Sequence, residues 1–149
     1  MKNLFIFALA IILAICGAYF YTNSTNNGLK KRELITTLYP LECDLNTQEC
    51  TYNFKNKQVL VTLNPKPITA LNELDLNISN LGDYKKLNAR VYGLNMYMGD
   101  IVPQFKKNNN TYYAKLVLSS CTLDIMRFRI ELFNDETPLN FYFDFDVKR

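Results

Sequence analysis

Met126-Arg127-Phe128-Arg129-Ile130-Glu131-Leu132 and Phe141-Tyr142-Phe143-Asp144-Phe145-Asp146-Val147 decide the fold. In each stretch apolar and polar residues alternate, the period of a strand with one buried and one wet face. Met126, Phe128, Ile130 and Leu132 make one inward row. Phe141, Phe143, Phe145 and Val147 make the next. Rows this close in sequence predict a hairpin, with Asn134–Asn140 and its Pro138 as the loop. Arg127 and Arg129 then lie across from Asp144 and Asp146.

The same period recurs upstream. Val59, Val61 and Leu63 share a face after the turn-like Lys55-Asn56-Lys57. Leu74, Leu76 and Ile78 alternate with Asp75, Asn77 and Ser79. Tyr112, Ala114, Leu116 and Leu118 form another row, opened by the turn-prone Asn108-Asn109-Asn110. Asn64-Pro65-Lys66-Pro67 breaks the chain, because two prolines this close fit a sheet edge or a loop. About seven strands, with turn signals every ~8–12 residues, predict an all-β domain of immunoglobulin-like sandwich type. A small barrel is the competing architecture. After the leader, only Leu29–Leu38 suits a short helix.

That leader is Leu4–Tyr21, eighteen apolar residues behind a single charged residue, Lys2. A bilayer core takes about 20 apolar residues in a helix, and Tyr19 and Tyr21 sit where interfacial aromatics belong. Residues 1–21 are therefore expected to be one N-terminal transmembrane signal anchor. A cleaved signal peptide ending near Cys16-Gly17-Ala18 is the alternative. Leu13-Ala14-Ile15-Cys16 matches a lipobox only in part, since Ile stands where a small residue is required. Residues 22–28 read as a linker and 29–149 as the sandwich domain. Lys30, Lys31 and Arg32 slightly favour the opposite orientation by charge. The short amino-terminal tail and the Cys43/Cys50 pair instead point the domain outward. The expected location is the inner membrane, single-pass, with the domain facing the periplasm or cell exterior.

Composition excludes more than it names. The net charge is +3, and +2 without Lys2, which gives no electrostatic case for nucleic acid. There is no His, the commonest general base and metal ligand. Abundant Asn, Lys, Ile, Tyr and Phe read as the bias of an AT-rich, bacterial genome. No Gly-rich phosphate loop is present, and no Ser or Cys nucleophile has a base in an evident motif. Asp83, Asp100, Asp124, Asp144 and Asp146 are not spaced as an acid–base pair. The chain is not expected to be an enzyme.

Cys43 and Cys50 bracket a short turn, so they can face each other across a hairpin at disulfide distance. A structural staple is the expectation. A redox or zinc pair is the alternative, although the spacing differs from Cys-x-x-Cys. With Cys16 in the membrane, Cys121 is left over. Met126 follows it by five residues, and Met96 and Met98 share a face if their segment is extended. One thiolate and up to three thioethers form a soft set that selects Cu(I). The competing expectation is that the methionines fill the core and Cys121 is a small buried hydrophobe.

The order of these features resembles a group of small, uncharacterised, exported proteobacterial proteins. The shared elements are the membrane leader, Cys43-x6-Cys50, Asn64-Pro65-Lys66-Pro67, Met96-x-Met98-Gly99, and Cys121 followed by Met126-Arg127-Phe128. More remotely, the layout is similar to the YtkA-like and FixH-like β-sandwich domains. Those are linked to copper handling and cytochrome oxidase assembly. Carried over position by position, the resemblance implies Met96, Met98, Cys121 and Met126 as metal ligands. Copper delivery or respiratory oxidase assembly is then the expected function, with Cu(I) as the cofactor. The alternative is a metal-free interaction module of a membrane complex, with a protein partner meeting a strand edge or an aromatic patch. Tyr92, Tyr97, Tyr112 and Tyr113 are the candidates for that patch.

Overall fold

The computed structural model describes residues 11–19 and 32–149. The chain forms two compact units, Met1–Glu33 and Leu34–Arg149. In the first, residues 11–19 are helical. Among the described residues no helix is long and apolar enough to cross a membrane. The expected span Leu4–Tyr21 lies partly, and the linker 22–28 wholly, outside the described residues.

The second unit is all β, with eight strands rather than about seven: β1 (Cys50–Phe54), β2 (Lys57–Asn64), β3 (Glu73–Ser79), β4 (Leu87–Gly93), β5 (Lys106–Asn108), β6 (Thr111–Val117), β7 (Ile125–Asn134) and β8 (Thr137–Lys148). They form two antiparallel sheets. One has the order β1-β2-β3-β6-β5, the other β4-β7-β8. The core fills the space between them. Val59, Val61 and Leu63 from β2, Leu74, Leu76 and Ile78 from β3, and Tyr112, Ala114 and Leu116 from β6 are buried. Opposite them lie Met126, Phe128, Ile130 and Leu132 of β7 and Phe141, Phe143, Phe145 and Val147 of β8, also buried. These are the rows that the alternation predicts.

The β7–β8 hairpin departs from expectation at its tip. Asp135 and Glu136 alone make the turn, and Pro138 lies inside β8, opposite Phe133. Pro is tolerated there because β8 is an edge strand. The register shifts between Glu131 and Phe133, and Asn140 takes a φ of 55°. Extra β8 residues therefore face Leu132, and Asn accepts the left-handed conformation more readily than most residues.

The expected Cys43–Cys50 disulfide forms, but two details differ. Of the expected short helix Leu29–Leu38, residues 29–31 lie outside the described residues and 32–38 hold no helix. Cys43 belongs to no strand, so the disulfide does not cross a hairpin. It closes the loop ahead of β1 instead, with a Cα separation of 5.9 Å. Asp44 organises that loop. Its carboxylate accepts the Asn46 amide at 2.9 Å, and its carbonyl accepts the Thr47 and Gln48 N–H groups at 3.1 Å. Bonds from Asn46 hold the Asp44 carboxyl below its ordinary range. Asn46 then donates to the Asp146 carbonyl at 2.8 Å and accepts the Ile68 N–H at 2.9 Å. The stapled loop is thus sewn to β8 and to the turn before β3.

Candidate functional site

The four expected sulfur ligands sit at one end of the sandwich, on two segments. After β4, Leu94 donates to the Arg127 carbonyl at 2.8 Å. The Asn95 side chain mimics a strand, donating to Ile125 O at 2.8 Å and accepting the Arg127 N–H at 2.9 Å. Met96 then folds back over Gly93 and is 5% exposed. Met98 is half-buried against the core, and Gly99 turns the chain with a φ of 76°.

On the β6–β7 connection, the Cys121 N–H donates to Met126 Sδ at 3.3 Å. Met126 is 1% exposed. Cys121 is half-buried, and bonds from the Leu123 and Thr122 backbone and the Thr122 hydroxyl hold its thiol below the ordinary range. The structure therefore brings Cys121 and Met126 together. Met96 and Met126 belong to the core cluster, while Met98 and Cys121 pack at its margin. Among the described residues no group of three or more His, Cys, Asp or Glu is gathered to hold a metal ion. Of the four, Cys121 and Met98 are the two that are not deeply buried.

The aromatic candidates divide. Tyr92 is buried. Tyr112 is buried too, and its hydroxyl donates to Gly82 O at 3.0 Å while accepting the Tyr84 N–H at 2.8 Å. Tyr97 and Tyr113 are exposed, by 62% and 42%. Asp144 and Asp146 are each forked by an arginine.

Tyr113 leads to a feature that the alternation does not reveal. β5 pairs with β6 only at Thr111–Tyr113. Beyond Tyr113, Ala114–Val117 keep β3 on one side and have no strand on the other. Antiparallel residues address their two flanks alternately. Asn110 O accepts the Asn80 N–H at 3.0 Å and Leu118 O accepts the Leu71 N–H at 2.9 Å, so the even-numbered residues address β3. Lys115 and Val117 consequently turn their N–H and C=O groups to the open flank.

A groove of about 890 Å³ runs along this edge and onto the outer face of β3, lined among others by Glu73, Asp75, Lys115, Val117, Val102 and Gln104. Its far wall is the strap 101–104. If the β5 register continued backward, Gln104 would face Lys115 and Val102 would face Val117. Instead Ile101 exchanges two 2.8 Å hydrogen bonds with Val91 of β4, in the other sheet. The strap is thereby drawn away, and the β6 edge is left bare. Sequence pattern missed this edge because pairing, unlike burial, has no period. The only signal was the stretch between Gly99 and Lys106, which fits neither template.

Comparison with protein-family models, with curated proteins and with solved structures finds no match to this chain.

Proposed function

We propose that the chain is a partner-binding module of a membrane complex. Its apolar N-terminal segment holds it at the inner membrane, and its sandwich faces the periplasm or cell exterior. The Cys43–Cys50 disulfide supports that side, since such bonds persist in oxidising compartments. The sandwich is of immunoglobulin-like type. Without β1, the orders β2-β3-β6-β5 and β4-β7-β8 correspond to A-B-E-D and C-F-G of that fold.

One observation carries the binding function: the bare flank of β6 beside its groove. Exposed edges pair with other chains, so proteins ordinarily shorten, charge or cover them. Here the cover is drawn off by Ile101. Photo-crosslinking from position 117 in cells, against position 142 on the outer face of the other sheet, tests this. A discrete adduct from 117 and none from 142 is expected. Equal adducts from both, or none from either, would contradict it.

Copper delivery or oxidase assembly is the second function, favoured by the Cys121–Met126 contact and by the half-buried Met98. Cys121 and Met98 would hold Cu(I), with Met96 and Met126 supplying thioethers if the core loosens. Titration of the reduced full chain with Cu(I) is expected to give about one equivalent, since soft sulfur donors favour that ion. Unchanged Cu(I) affinity in Cys121→Ala and Met98→Ala would remove the site.

A further inference from the structure

We infer that the β6 groove receives an extended segment of a partner polypeptide, antiparallel to β6, carrying a β-branched, an apolar and an acidic residue in that order. The inference rests on the partner-binding function proposed above and adds what is bound and in which register.

Backbone comes first. Lys115 and Val117 each offer an N–H and a C=O to the open flank. An incoming strand on the line that β5 vacates would meet both. Main-chain bonds give such complexes their affinity, and alternate side chains give their specificity.

The register assigns those side chains. The residue opposite Val117 points to the outer face and lies beside an exposed valine, which suits a β-branched partner. The residue opposite Leu116 points inward, because Leu116 is buried, and it meets Pro103 and Ile101 of the strap. That position requires an apolar side chain. The residue opposite Lys115 points outward, next to an ammonium already flanked by Glu73 and Asp75 of β3. Lys106 lies two positions further along and has no carboxylate partner among the described residues. Glu73 and Asp75 line the groove too and already match Lys115, so the rim cation left without a carboxylate among the described residues is Lys106, and a carboxylate opposite Lys115 would answer it while continuing the cross-strand ladder from Asp75.

The strap itself carries the same pattern. Val102, Pro103 and Gln104 are the residues that the β5 register would place opposite Val117, Leu116 and Lys115. They are a β-branched residue, an apolar residue and the uncharged isostere of glutamate. The occupant takes the place that the strap leaves. A second copy of the chain does not fit as well, since its own β6 edge would bring its own strap into the same groove.

The test uses the full chain in detergent micelles and synthetic capped hexapeptides. One has the sequence Thr-Val-Leu-Glu-Val-Thr; a second has Lys for Glu; a third is N-methylated on alternate backbone nitrogens. Binding is read by calorimetry and by exchange of the Lys115 and Val117 amides. The Glu peptide is expected to bind and protect both amides. The Lys peptide is expected to bind about threefold more weakly, and the N-methylated peptide not at all. Val117→Pro removes one edge-facing donor without touching the β3 ladder and is expected to abolish binding. Lys106→Glu, which leaves the backbone intact, is expected to reverse the preference between Glu and Lys peptides. Peptide binding that ignores both substitutions would overturn the occupant's register and charge, while the partner-binding function would still be decided by crosslinking from position 117. No binding of any peptide would overturn the occupant. Protection of Lys115 and Val117 without peptide would overturn it in favour of the strap, or of a second copy if protection rose with concentration.

Discussion

The guanidinium of Arg127 grips both carboxylate oxygens of Asp146, with Nε to Oδ1 at 2.7 Å and Nη2 to Oδ2 at 2.8 Å. Its remaining arm donates to the Tyr39 carbonyl at 2.6 Å. Arg127 is only 6% exposed, although it stands on the side of β7 that alternation assigns to water. One side chain thus joins β7, β8 and the segment that leads into the domain. Removing it leaves a half-buried carboxylate without its partner, and losing charge-assisted hydrogen bonds of this kind costs about 1.5–3 kcal/mol. Arg127→Ala is expected to lower the unfolding free energy by that amount in urea denaturation. Arg127→Lys should recover less than half, because an ammonium cannot reproduce the two-pronged geometry. A loss under about 1 kcal/mol for Arg127→Ala would show the pair to be no stronger than an exposed one.

Tyr52 links stability to alkaline pH. It stacks on Phe143, with ring centroids 5.6 Å apart, and meets Phe141 edge-on at 6.0 Å. Burial first, then Asp144 and Glu42, push its phenol up from 10.0 to about 12. The neutral phenol is therefore favoured in the folded state. Its contribution is complete below pH 10, the ordinary value, and is lost as pH rises toward about 12. Tyr52→Phe is expected to flatten the fall in stability across that window. Equal slopes for both proteins would contradict the assignment.

Reduction of Cys43–Cys50 is expected to cost about 2.5 kcal/mol, from the entropy of the short loop it closes. The buried Cys50 opens β1, so exchange of β1 amides should rise most. Urea titrations with and without a strong reductant provide the measurement. A uniform rise across all strands would mean that the loop is not locally coupled to β1.

Gly93 has no room for a side chain. A Cβ there would lie 2.6 Å from the Met96 carbonyl oxygen and 2.7 Å from Met96 Cγ. Gly93→Ala is expected to destabilise by about 1–3 kcal/mol, the range for overpacking. Adding Met96→Ala should not restore stability, because the backbone contact remains. Full recovery in the double variant would mean that the Met96 side chain alone causes the conflict.

Burial was the legible part of this fold. Every row of alternating residues picked out for β2, β3, β6, β7 and β8 lies in the core, since a two-residue period follows directly from the pleat. The facing of Arg127 by Asp146 and of Arg129 by Asp144 was legible too, because the hairpin aligns the charges. β4 and β5 were not. β4 runs Leu87, Ala89, Val91 and Gly93 inward, a row weakened by its small members. β5 is three exposed residues with no apolar face. The sulfur residues were visible as a set, but their division between core and margin depends on how 94–98 folds back over Gly93. The bare edge of β6 depends on a bond between Ile101 and Val91 in different sheets, which no local pattern encodes.

Amide exchange in the isolated full chain at low concentration reports whether β6 keeps one flank open. Lys115 and Val117 should exchange rapidly while Leu116, bonded to β3, stays protected, giving an alternation along a single strand. Uniform protection of Lys115, Leu116 and Val117 would contradict the account, because the edge would then already be covered.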